Sequence, residues 1–133
     1  MRRRTFILLA ALLPTLGSCR TKDVLLSVNS SSVAELRTLR REEKFQDLPG
    51  IPAEEERKRF TPLLNALLDR IIVGVQQNPR RDWVLEQMDP FVAEFYLEDT
   101  ELRERCISYL SRIFVILGIP DDDGAFKKYM IVW

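Results

Sequence analysis

The chain of 133 residues contains no histidine, and that absence excludes more than any motif it holds. Ser-His and Cys-His nucleophilic pairs and imidazole-ligated metals are all ruled out within this polypeptide. Glycine is scarce at 5 residues, and no GxGxxG or Walker-type loop occurs among them, so a phosphate-cradling nucleotide site has no support. Excess charge is also lacking, since 20 Lys+Arg stand against 20 Asp+Glu. A nucleic-acid partner is therefore not expected, because such binders need a basic surface to displace counterions from phosphates. Only two cysteines are present, Cys19 and Cys106, with no CxxC spacing. Hydrophobic residues make up 46% and charged residues 30%, the composition of one ordinary folded domain.

What is present begins with the first nineteen residues, MRRRTFILLAALLPTLGSC. Arg2, Arg3 and Arg4 precede an apolar run from Phe6 to Leu13 that Pro14 closes, the layout of a secretory signal peptide. The run falls well short of the roughly 20 residues that span a bilayer core. Leu16-Gly17-Ser18-Cys19 then resembles the lipobox of bacterial lipoproteins. The resemblance implies that Cys19 receives a diacylglycerol and that residues 1–18 are removed. It further implies outer-membrane sorting in a Gram-negative host, with the domain facing the periplasm, because the next residue is Arg20 rather than aspartate. Each buried acyl methylene contributes about 0.8 kcal/mol, so the two or three chains of such a protein form a firm membrane anchor. Cleavage would remove three arginines and no acids, leaving 17 basic against 20 acidic residues.

The remainder divides into a segment 19–31, read as the acylated cysteine and a serine-rich tether, and a helical domain 32–133. Val24, Leu25, Leu26 and Val28 mark a part of the tether that could instead dock. Ser32-Val33-Ala34-Glu35 fits a capping box opening a first helix to about Lys44 or Phe45. Pro49-Gly50 breaks the chain. Residues 53–60 form a charged helical turn or two, and Thr61-Pro62 is read as a restart. Leu63, Leu64, Leu67, Leu68, Ile71, Ile72 and Val75 follow with the spacing of a broad apolar helical face, the strongest core signal in the chain. A third helix after Asn78-Pro79 carries Trp83, Val84, Met88, Phe91, Val92, Phe95 and Tyr96, with a bend expected near Pro90. A fourth opens at Asp99 or Thr100 and ends at Gly118, and a short last one covers residues 122–130. Nothing alternates with the period of a strand, so the fold class is all-α, a single compact domain of four to five helices.

The candidate chemistry is thin. Asp121-Asp122-Asp123-Gly124 invites a calcium reading, but an EF-hand would place its first ligand at Ile119 and its last at Met130. A helix start with an aspartate cap explains the cluster better, and no metal site is assigned. Glu98, Asp99, Glu101 and Glu104 crowd another helix entrance and read as a solvated first turn. Ser30, Ser31 and Ser32 have no base partner pattern, so no catalytic residue and no cofactor are expected. Cys106 shares a stripe with Leu102, Tyr109, Leu110 and Ile113 and reads as an inert core thiol. Trp133 is the one candidate interaction residue, either a docked plug or an exposed anchor.

In the C-terminal third, Asp99-Thr100-Glu101-x-Arg103-Glu104, Tyr109-Leu110, Gly118-Ile119 and Asp123-Gly124 with Phe126 and Tyr129 resemble a family of small bacterial proteins, the domain of unknown function 4844. Pro49-Gly50 lies where that family has a Tyr-Pro-Gly-Leu turn. Tyr129 stands in place of a tryptophan, and Ile131-Val132 in place of a Tyr-Gly ending. The resemblance implies one compact helical domain and no mechanism. The expectation is therefore a lipid-anchored, noncatalytic module whose partners are the membrane and an envelope protein. Two other readings stay open: an acidic, immunity-like inhibitor of a toxin or hydrolase, and an enzyme built on the carboxylates of residues 99–104 or 121–123.

Overall fold

The computed structural model describes residues 23–46 and 54–120. Cys19, the lipobox residues Leu16, Gly17 and Ser18, the Pro49-Gly50 turn, the 121–123 cluster with the helix expected after it, and Trp133 lie outside the described residues.

The first helix, α1, spans Ser30–Arg41 and starts earlier than the capping box predicts. Asn29, in an extended conformation, accepts the Ser32 N–H on Oδ1 at 2.9 Å, and the Ser32 hydroxyl donates to the same oxygen at 3.2 Å. Asparagine caps as well as serine does, and here it stands three residues before an amide it can reach. Ser32 is consequently a buried residue of the first turn, and Glu35 is exposed. Val33, Leu36 and Leu39 form the narrow buried stripe.

α2, Glu54–Gly74, is continuous through Pro62, so the restart at Thr61 does not occur. Proline forfeits one backbone bond, to the carbonyl four residues earlier. Pro62 lies on the exposed side of α2, where water can reach that carbonyl, while Phe60 and Leu64 on the opposite side are fully buried and hold the helix in place. Pro90 is likewise exposed within α3, Arg81–Phe95. Most of the apolar faces read from the sequence are buried: Leu64, Leu67, Leu68 and Ile71 on α2 with Val75 just past its end, and Val84, Met88, Phe91, Val92 and Phe95 on α3, while Leu63, Ile72, Trp83 and Tyr96 are only partly buried. Gly74 permits a close approach of the two, since a Cβ there would fall 2.6 Å from the Trp83 ring.

α4, Thr100–Leu117, is capped as expected at both ends. Asp99 Oδ1 accepts the Leu102 N–H at 2.9 Å, and Gly118 takes the left-handed conformation at φ 69°. Each described helix packs on its neighbour in chain order and α4 closes back on α1, so the domain is all-α, with four helices among the described residues sharing one core. None of the described helices is long and apolar enough to cross a membrane.

Residues 23–29 are bonded to the helical domain, as the apolar patch Val24–Val28 allows. Leu26 donates its N–H to the Pro79 carbonyl at 2.6 Å, the Val24 carbonyl accepts the Arg81 N–H at 2.9 Å, and Leu25 forms an isolated antiparallel bridge with Arg80. The Arg80 side chain offers α3 no cap, and Asp23 substitutes by accepting the Asp82 N–H on Oδ1 at 3.0 Å. An aspartate nearly sixty residues away in sequence thus performs a local capping role. Asp23→Ala is expected to destabilise the domain by about 1 kcal/mol, the ordinary worth of a cap, read as a lowered urea midpoint with unchanged slope. An unaltered midpoint would show that α3 does not depend on this segment.

Candidate functional site

The corner where α1 ends against α4 concentrates the unusual features of the molecule. Glu42 leaves the helical conformation at ψ 143°, ending α1 short of the predicted Lys44 or Phe45. Lys44 then folds back, its Nζ donating to the Arg40 carbonyl at 2.7 Å and the Glu42 carbonyl at 2.8 Å, acceptors that the helix end leaves open. Only 2% of Lys44 is exposed. Burial pulls its ammonium below the ordinary lysine range; Arg40 and Arg112 push the same way, and Glu42 and Asp69 oppose them.

Phe45 follows at φ 60°, a left-handed conformation that a bulky side chain rarely adopts. Two contacts with Tyr109 of α4 hold it there. The Phe45 N–H donates to the Tyr109 hydroxyl oxygen at 2.9 Å, and the two rings meet edge to face with centroids 5.2 Å apart. Arg112, one turn further along α4, extends over the Tyr109 ring at 5.9 Å and grips Glu42 with two nitrogens, each 2.9 Å from a carboxylate oxygen. The hydrogen bond from Arg112 is the main reason the Glu42 carboxyl sits below its usual value, with desolvation acting in the opposite direction. A lowered folded-state value contributes stability above the ordinary carboxylate range and loses it as pH falls through that lowered value. Both side chains are partly exposed, which keeps the contribution to a surface pair's few tenths of a kcal/mol.

Beside this corner an open groove of about 510 Å³ runs between α1 and α4. Leu39, Val115 and Ile116 give it an apolar floor; Ser108 and Ser111 line it with hydroxyls, and Glu35 and the Glu42–Arg112 pair line it with charge. Thr38 also faces it, although its hydroxyl already donates to the Ala34 carbonyl at 3.1 Å. Val115 is 81% exposed, the most exposed large apolar side chain among the described residues. Such an arrangement can accept an apolar side chain flanked by polar groups. Among the described residues no group of three or more Cys, Asp or Glu side chains could hold a metal.

The acidic residues ahead of α4 are held as helix-entrance groups. Asp99 is the cap, Glu98 accepts from Arg59 at 2.6 Å, and Glu101 and Glu104 face solvent. Cys106 is fully buried, and burial, reinforced by the charge of Glu98, pushes its thiol up to about 12. It is the inert core thiol the stripe predicts. The groove itself escaped the sequence reading, although Ser108, Ser111 and Val115 recur at i, i+3 and i+7 beside the buried stripe of α4. Burial of Lys44 leaves no trace in the sequence, because it depends on where α1 stops.

The four described helices, set in a ring around a shared core with an open groove on one seam, define a small all-α domain. The model of the family described as a domain of unknown function (DUF4844) matches residues 27–132, and the chain belongs to that family. No curated protein and no solved structure matches it.

Proposed function

We propose that the chain is a lipid-anchored, noncatalytic helical module of the bacterial cell envelope, binding a protein partner through the groove between α1 and α4. The observation that carries the anchor is Leu16-Gly17-Ser18-Cys19 placed directly after Arg2–Arg4 and an apolar run. Binding is favoured by the groove, whose exposed Val115 and hydroxyl-lined wall suit a recognised side chain, and whose charged rim is fixed by the Glu42–Arg112 pair. An anchored domain meets its partner by diffusion in two dimensions, so a shallow site can suffice.

Cys19→Ala is the decisive variant. It is expected to abolish incorporation of labelled palmitate, to leave the signal segment uncleaved by the lipoprotein pathway, and to move the domain out of the acyl-anchored membrane fraction. A variant that still takes up label, or still partitions as the parent does after the leader is removed, would refute the anchor. Crosslinking in intact cells from a photoreactive residue at position 115 tests the groove: a discrete adduct is expected there, and adducts equally abundant from exposed Val73 would refute groove binding.

A further inference from the structure

If Cys19 is acylated, only Arg20, Thr21 and Lys22 separate the lipid from Asp23. Asp23 is fixed, because its carboxylate caps α3 at Asp82 and the next residues bond Arg81 and Pro79. Four Cα–Cα steps reach at most about 14 Å even when fully extended. The anchor therefore cannot act as a long leash that lets the domain tumble; it pulls on one end, where α2 turns into α3.

We propose that this end of the bundle, with Leu25 and Arg80 at its surface, rests against the headgroups of an acidic phospholipid bilayer. The placement rests on the lipid-anchor reading above and adds an orientation to it. Leu25 is 75% exposed although it lies in a bridge with Arg80, so its side chain is apolar surface at the point where the anchor enters. The Arg80 side chain is 65% exposed, with a long contact of 3.9 Å to Asp23. Arg20 and Lys22 bring two more positive charges within the same few residues. An exposed apolar side chain paired with an arginine, a few residues in sequence from Arg20 and Lys22, matches the boundary between acyl chains and anionic headgroups, where the charges meet phosphate and the apolar group leaves water. Leu97 shows that exposure alone does not decide the matter. It is 76% exposed but follows the far end of α3, a helix of 15 residues and so about 22 Å long.

The test uses the full acylated chain, extracted from membranes and reconstituted into vesicles of phosphatidylethanolamine and phosphatidylglycerol. A nitroxide is attached at Leu25→Cys or at Leu97→Cys; acylated Cys19 and buried Cys106 do not compete for the label. Collision with a water-soluble nickel chelate is expected to be several-fold slower at position 25 than at position 97 on vesicles, and similar at both in an unacylated form that begins at Arg20. Equal collision rates on vesicles, with the diacylglyceryl mass confirmed on Cys19, would overturn the orientation and leave the anchor standing. Absence of that mass would overturn the anchor and the orientation together.

Discussion

Leu68→Ala is expected to destabilise the domain by about 2 to 5 kcal/mol, the range for removing a leucine side chain from a packed core. For a domain near 100 residues this lowers the melting temperature by roughly 8 to 20 °C. The reason is position. Leu68 is fully buried, in the second half of the longest described helix, with Leu64, Leu67 and Ile71 fully buried around it. α2 packs against α1 on one side and α3 on the other, so a cavity beneath it is felt across two interfaces. Relaxation could close that cavity only by drawing those neighbours inward. Val73→Ala, at a position 78% exposed on the same helix, is the matched control and should change stability by less than about 0.5 kcal/mol. Thermal unfolding of both variants by circular dichroism decides the matter; an unchanged midpoint for Leu68→Ala would place the core elsewhere.

The two halves of the molecule differ in how far their sequence discloses them. α2, α3 and α4 are legible because their apolar residues recur at helical spacing over four or more turns, and because Asp99 and Gly118 act locally on their own helix ends. Errors occur where a distant residue or solvent exposure overrides a local signal. Thr61-Pro62 looks like a start, but a proline on a water-facing side costs too little to break a helix that Phe60 and Leu64 hold in place. The start of α3 shows no cap in its own sequence because Asp23 provides it. Ser32 and Glu35 match a capping box, yet Asn29 takes the role three residues ahead. The groove depends on which seam between helices stays open, and helical periodicity, which ranks faces by apolarity, does not report which neighbour covers them. Only once α1 is seen to stop at Arg41 does its last turn become one wall of a site.

The turn that ends this wall is tied to α4 through the Tyr109 hydroxyl as well as through the Glu42–Arg112 pair, and removing the hydroxyl gives the second large expected effect. Tyr109→Phe should destabilise the domain by about 1 to 3 kcal/mol, because it leaves the buried Phe45 N–H without its acceptor. The ring survives, so the edge-to-face contact with Phe45 is retained and the loss isolates the hydroxyl. A left-handed conformation at Phe45 is itself unfavourable by about 1 to 2 kcal/mol for a residue with a side chain. It persists because the hydroxyl, 64 residues away, secures the amide while Lys44 closes the end of α1. Without the hydroxyl the segment can relax to an ordinary extended conformation, which would release Lys44 and shift Glu42 against Arg112. The expected signature is therefore twofold: a lower unfolding midpoint, and amide exchange at Phe45 and Lys44 accelerated far beyond that of Leu68. A purely global loss of stability would instead speed exchange of the most protected core amides by the same factor, Leu68 included. Faster exchange at Phe45 and Lys44 together, with Leu68 little changed, would establish that the groove's charged rim is built on the Tyr109 hydroxyl, and wild-type exchange with a wild-type midpoint would refute it.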